Sequence, residues 1–201
     1  MAATQSTMLE LGTTAPDFAL PDVSTGLISR LSDLPKEHAL LVVFLCAHCP
    51  YVIHVAPELA RIARDYSDKP LSIIGITSND VSQYPADAPE PTAQFAKEQG
   101  FTFPILFDET QSIAKAYTAA CTPDFFLFNL SRTLVYRGQI DNSRPSRGKD
   151  RPGSGVLNGM HLRNAIDATL SQQTLTAEQY PSIGCNIKWK PGNEPAFFVK
   201  H

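Results

Sequence analysis

Seven consecutive apolar residues, Ala39 to Leu45, break into an otherwise mixed N-terminal third of the chain. Their number and branched side chains predict a strand covered on both faces, the habit of a parallel sheet. Beyond them Val52, Val55, Ala56, Leu59, Ile62, Ala63 and Tyr66 recur at helical spacing, while His54, Glu58, Arg61 and Arg64 fall largely on the opposite side. Pro57 lies inside that helix and predicts a missing backbone bond and a kink. Leu71 to Ile76 reads as a second buried strand. Pro85, Pro89 and Pro91, set among Asn79, Asp80, Asp87 and Glu90, read as a surface loop, with Pro91 opening a helix that Gly100 closes. Phe103 to Phe107 reads as a third strand, and Thr110 as the cap of a helix carrying Ile113, Ala114 and Tyr117. Phe125 to Phe128 and Thr133 to Gly138, joined by a turn at Asn129 to Arg132, predict an antiparallel hairpin. Leu162, Ala165, Ile166, Thr169 and Leu170 mark a last helix.

This order of strands and helices predicts an α/β domain over residues 9–171, built around a mixed sheet with helices on its faces. Residues 1–8 read as a flexible start. Residues 172–201 form a C-terminal extension with Pro181, Pro191 and Pro195 and little periodicity. Asp141 to Gly155, containing Arg144, Arg147, Lys149 and Arg151, reads as a mobile loop.

Composition narrows the classes. With 43% apolar residues among 201, the chain can bury a substantial core. A net charge of −3 leaves no basic face of the kind nucleic acid requires. No apolar run approaches the roughly 18 residues of a membrane span. The first dozen residues include Glu10 and lack both a basic start and an apolar stretch, which predicts a cytoplasmic protein rather than an exported one. In a reducing compartment, paired cysteines point to catalysis or metal rather than to structural bridges.

The pair is Cys46-Ala-His48-Cys49-Pro50, placed where a buried strand meets a helix. Two thiols three positions apart at a helix start can close a small disulfide ring. The unpaired N–H groups and positive dipole end of the first turn favour thiolate over thiol. Cys46, as the N-terminal and more exposed sulfur, is the expected nucleophile, and Cys49 the resolving thiol. His48, as an imidazolium, would stabilise the thiolate and make the disulfide more oxidising. A zinc site would need Cys121 and Cys185 as further ligands, and no second close pair supports it. No cofactor is expected, since no flavin or nucleotide motif is present.

The motifs together resemble the thioredoxin-like superfamily, and within it the AhpC/TSA (redoxin, peroxiredoxin-like) branch. The resemblance rests on Ala15-Pro16-Asp17-Phe18, Val43 to Pro50, Pro57, Phe107-Asp108-Glu109, Cys121 to Phe128, and Tyr136 to Asp141, and covers roughly residues 9–170. The tail Ile183-Gly-Cys185-Asn-Ile-Lys-Trp189 is similar to that of bacterial thioredoxin family proteins with a Cys-x-His-Cys-Pro site. The resemblance implies a thioredoxin fold, a cis Pro123 facing the Cys46–Cys49 pair across a groove, and a Thr122 backbone open to an extended substrate segment. It implies thiol–disulfide exchange with a protein partner or reductant, and alternatively reduction of small hydroperoxides. A third possibility is a metal-binding or redox-sensing module without turnover. Two departures from the family pattern stand out. Leu40 occupies the place of the buried acid that thioredoxins carry six residues before the nucleophile. The threonine and proline of the peroxidase motif are replaced by Cys46 and Val42, or in the other register by Val43 and Ala39. Cys121 is expected near the pair, and Cys185 either near Cys121 or in a docking segment of the tail.

Overall fold

The computed structural model describes residues 3–146, 148–149 and 152–198. Its elements in chain order are β1 (Ala3–Gln5), β2 (Ala19–Pro21), β3 (Ile28–Arg30), β4 (Ala39–Phe44), α1 (Pro50–Asp65), β5 (Leu71–Thr77), α2 (Pro89–Gln99), β6 (Ile105–Phe107), α3 (Ser112–Ala116), β7 (Cys121–Thr122), β8 (Asp124–Phe128), β9 (Leu134–Gly138), α4 (Met160–Leu170) and β10 (Ile183–Asn186). A five-stranded sheet runs β6-β5-β4-β8-β9. Its β4, β5 and β6 are parallel, while β8 and β9 are antiparallel to their neighbours. This is a thioredoxin-like α/β fold with a mixed central sheet.

Strand β4 shows why its sequence is apolar throughout. Alternate side chains leave opposite faces of a strand. Leu41, Val43 and Leu45 join α1, α2 and α4 in one core, whereas Leu40, Val42 and Phe44 join Phe18, Tyr117 and Trp189 in the other. Every residue of β4 is buried. Helix α1 runs through Pro57, whose ring lies on the exposed side, where water can serve the carbonyl it leaves without a partner. Glu58, read as part of the polar face, is instead fully buried. Arg163 of α4 meets it at 2.8 Å and Arg61 at 3.1 Å, so the carboxylate fastens the two helices.

Several boundaries differ from the sequence reading for identifiable reasons. Helix α2 begins at Pro89 rather than Pro91, because a proline suits the first helical position equally well there. Thr110 does not cap α3. The cap is Gln111 in the left-handed region, without a side-chain cap bond. The start of the chain is not wholly flexible, since β1 pairs with β10, and β10 pairs with β7, giving a second, three-stranded sheet. The described ends of the expected mobile loop are tied together by Asp141, which accepts the amides of Ser143, Asn158 and Gly159. Arg144 pairs with Ser154 there, while Arg147 and Arg151 lie outside the described residues. Among the described residues, no helix is long and apolar enough to cross a membrane.

The small sheet depends on a glycine. A Cβ at Gly184 would overlap the carbonyl oxygen of Thr122, so β10 can approach β7 only because this side chain is absent. Gly184→Ala is expected to push β10 off β7 and destabilise the protein by about 1–3 kcal/mol, as overpacking does. Urea unfolding checks this; an unchanged midpoint would mean the strands are not packed this closely.

Candidate active site

The site lies where β4 ends and α1 begins. Cys49 is the N-cap residue of α1, with Pro50 at the first helical position. Leu45 and Cys46 continue the buried strand end, so the loop Cys46–Cys49 spans the gap between sheet and helix. Both sulfurs are held against the start of the cis-proline segment. Cys46 Sγ lies 3.4 Å from Thr122 Oγ1, and Cys49 Sγ 3.1 Å from the Thr122 carbonyl oxygen. The Thr122-Pro123 bond is cis. Residues 46, 49, 122 and 123 thus come together as the sequence suggested.

Three expectations are corrected. First, Cys46 is not exposed. It retains 1% of its surface and Cys49 none. Second, the surroundings of the pair favour ionisation of Cys49, where the sequence pointed to Cys46. Hydrogen bonds from Cys185 and Cys46, supported by the Thr122 hydroxyl and the Val52 amide, hold the Cys49 thiol far below its usual range despite burial. Cys46 is pushed up by its hydrogen bond to Cys49, by burial and by the negative Asp87. The main cause is tertiary: the two largest contributions to the shift come from the neighbouring thiols of Cys185 and Cys46. Third, the Thr122 edge is not open, because Cys185 of β10 already stands opposite Thr122 in an antiparallel pair.

His48 is fixed by a group that sequence reasoning left in a surface loop. Asp87 is fully buried. Its carboxylate accepts the Ala47 amide at 3.0 Å, the His48 amide at 3.4 Å and Asn79 Nδ2 at 2.7 Å. The two amides share Oδ1, and His48 Nδ1 lies 2.6 Å from Oδ2, the oxygen that Asn79 also meets. The hydrogen bond to Asp87 raises the His48 pKa against the effect of burial. The His48 ring stacks on Tyr84 at 5.6 Å, and Lys188 of the tail lies over the other ring's centroid at 5.6 Å. His48, whose ring lies near Cys46, thus packs with a tyrosine and a lysine from two other segments.

Cys46, His48 and Asp87 bring potential metal-ligand atoms within 4.8 Å of one another. The direct contact between Asp87 and His48 Nδ1 is an ion pair rather than a gap of metal-bridging width. The larger thiol set considered from sequence, with Cys121 as a fourth ligand, does not assemble. Cys121 points to the carbonyl oxygens of Pro123 and Ser182 at 3.7 and 3.9 Å. Burial, then the neighbouring Asp124 and Cys49, push its thiol well above the usual range.

A second buried acid, Asp124, lies directly after the cis-proline. Neither of its oxygens makes a hydrogen bond of normal geometry. Burial raises its pKa to about 7, although the hydroxyls of Ser6 and Ser182 and the amides of Ala120 and Phe125 oppose the shift. Leu40 leaves the acid site behind β4 apolar, and Asp124 and Asp87 are the buried carboxyl groups around the sulfurs.

The same fold occurs in a solved structure of a similar protein. A crystal structure of an uncharacterized conserved protein from Geobacillus kaustophilus superposes with a TM-score of 0.89 at 48% identity, covering 96% of this chain and 98% of that one. A Mycobacterium tuberculosis protein carrying a provisional peroxiredoxin name is 29% identical over 116 residues, which is 58% of this chain and 68% of that protein. The thiol-disulfide oxidoreductase ResA of Geobacillus kaustophilus is 28% identical over 126 residues, 63% of this chain and 67% of its own length. The family model described as AhpC/TSA matches residues 11–137, which contain both sulfurs and the cis-proline, and the chain belongs to the AhpC/TSA family of thiol-based redox proteins.

Proposed function

We propose that the protein is a thiol–disulfide oxidoreductase that cycles Cys46 and Cys49 between dithiol and disulfide. The observation that carries this reading is the hydrogen-bonded Cys46–Cys49 pair at the start of α1, touched on both sulfurs by Thr122. The pair holds one proton and one negative charge between its sulfurs, so its titration belongs to both. Cys46 lies on the side of the loop that leads to Ala47 and His48, and Cys49 lies inward against Cys185. A partner disulfide that approaches from the loop side therefore meets Cys46 first.

The exchange then follows in balanced steps. The shared proton passes from Cys46 to Cys49, and the Cys46 thiolate so formed attacks one sulfur of the partner disulfide. The released partner thiolate takes that proton. Cys49 thiolate, stabilised where it stands, attacks Cys46 and releases the second partner thiolate, leaving a Cys46–Cys49 disulfide. A dithiol of another protein regenerates the pair by the reverse sequence.

Cys49→Ser should trap a covalent partner on Cys46, visible as an adduct by intact-mass analysis after incubation with oxidised insulin or a small disulfide. Both Cys46→Ser and Cys49→Ser should reduce insulin-disulfide turnover to the uncatalysed rate. An absence of adduct together with full activity of Cys46→Ser would overturn the scheme. One observation favours a second reading as a thiol peroxidase: the Val52 amide and two thiols converge on Cys49, a donor set suited to a single reactive thiolate. Under that reading hydrogen peroxide is consumed with a supplied reductant, Cys49→Ser is inactive, and Cys46→Ser keeps the first oxidation step.

A further inference from the structure

The tail brings a third thiol into the site. Strand β10 is anchored on both sides of Cys185. Upstream, Ser182 Oγ donates to the Gly138 carbonyl at 2.6 Å. Downstream, the Lys188 amide donates to Asn79 Oδ1 at 2.8 Å, and the Lys188 carbonyl receives the Asp80 amide at 2.7 Å. Between these anchors the absent side chain of Gly184 lets the strand lie against Thr122. The register places Cys185 opposite Thr122, whose carbonyl oxygen is 3.1 Å from Cys49 Sγ. Cys185 retains 2% of its surface and packs in the same buried cluster as Cys46 and Cys49. Its thiol is hydrogen-bonded to Cys49. Cys49 is thus the middle sulfur of three, touching Cys46 on one side and Cys185 on the other.

We infer that Cys185 is a third redox thiol, which exchanges with the Cys46–Cys49 disulfide to give a Cys49–Cys185 disulfide and restore Cys46 as a thiol. This rests on the dithiol–disulfide reading above. Cys185, losing its proton to Cys46 through the site, attacks Cys49 Sγ. The Cys185–Cys49 bond forms, the Cys46–Cys49 bond breaks, and Cys46 leaves as the thiolate that takes up the proton. No oxidant is consumed, because one disulfide replaces another. Oxidation moves from the outer pair to an inner one. The inner disulfide ties β10 to the start of α1 and closes the Thr122 edge, while Cys46 is again able to react. Cys121 does not take this part, because its thiol faces the Pro123 and Ser182 carbonyls rather than Cys49.

The chain offers a direct assay. Trypsin releases Cys46 and Cys49 together on peptide 37–61, Cys121 on 116–132 and Cys185 on 164–188. The full-length protein is equilibrated in a glutathione redox buffer, quenched with acid, alkylated and digested. The wild type should yield both the internal disulfide of peptide 37–61 and a cross-link between 37–61 and 164–188, with the alkyl label of the cross-linked form on Cys46. Cys185→Ser should lose the cross-link and keep the internal disulfide. Cys46→Ser should form the cross-link as its principal disulfide. Circular dichroism of each variant establishes that it is folded, and alkylation of the folded wild type by a maleimide in the cross-linked form gives a second readout at Cys46. An internal disulfide in the wild type with no cross-link, in either wild type or Cys46→Ser, would overturn the exchange and leave the oxidoreductase reading standing. Absence of the internal disulfide as well would remove both. A cross-link to peptide 116–132 in place of 164–188 would assign the third thiol to Cys121 and overturn the proposal for Cys185.

Discussion

Replacing Asp87 by alanine is expected to destabilise the protein by about 3–5 kcal/mol, the range for removing one member of a buried charged network. The carboxylate is fully buried and receives two loop amides, Asn79 and His48. Alanine leaves the amides of Ala47 and His48 and the Asn79 side chain without an acceptor, and unmet buried donors carry most of the cost. The ion pair itself contributes less than a fully buried one, because the His48 side chain keeps 21% of its surface. A pH signature separates the parts. His48 has a folded pKa above its ordinary 6.5, so its pairing is fully present below that value and is lost as pH rises through the raised pKa. Asp87→Asn keeps an acceptor for the loop amides and should cost less than alanine while abolishing this pH dependence. Loss of the Asp87 charge should also lower the Cys46 pKa, moving the onset of its alkylation to lower pH. Urea titrations between pH 5 and 9, with the two variants compared, provide the test. Equal stability of Asp87→Ala and wild type across that range would refute the assignment.

The sheet and the redox loop were legible because each obeys a local rule. The apolar run at 39–45, the helical stripe of α1 and the glycine after α2 each announce their element within a few residues. The Cys46–Cys49 pair was legible because the motif carries its own context of strand, turn and helix, and its approach to Thr122 and cis Pro123 followed from the family resemblance. What escaped depends on contacts between distant segments. The loop containing Asp87 reads as surface from its prolines and acids, yet a carboxylate that gathers four donors can be buried there without violating the rule for charged groups. Strands β1, β7 and β10 have only two to four residues each, too few for a period to emerge. Their pairing is specified by the close approach at Gly184, which no local pattern announces. The donors gathered around Cys49 escaped for a related reason. Helix geometry places the N-cap at Cys49, and Cys185, 136 positions further along the chain, adds a donor to it.

Asp124→Asn is expected to flatten the pH dependence of stability on the neutral side. Asp124 titrates at about 7 in the folded chain, against an ordinary 3.8, with burial the main cause. The sign follows from proton binding. Between these values the folded protein keeps a proton that the unfolded chain has lost, so stability falls as pH rises from about 4 to 7. Above 7 both states are ionised and the penalty is complete. The size is on the order of 4 kcal/mol, from the shift and 1.4 kcal/mol per unit. Asparagine is neutral throughout and places its amide near the Ser6 and Ser182 hydroxyls, which can receive it. Wild type and variant should therefore be similar near pH 5, and the variant should be the more stable by a few kcal/mol above pH 7.5. Guanidinium unfolding at closely spaced pH values measures the difference directly, and parallel curves would show that Asp124 is charged over the whole range. The same substitution bears on the thiols. Asp124 is one reason the Cys121 thiol resists ionisation, second to burial, so removing its charge should leave Cys121 easier to ionise. A buried acid beside the cis-proline, charged above about pH 7, thus adds to burial in holding the Cys121 thiol protonated.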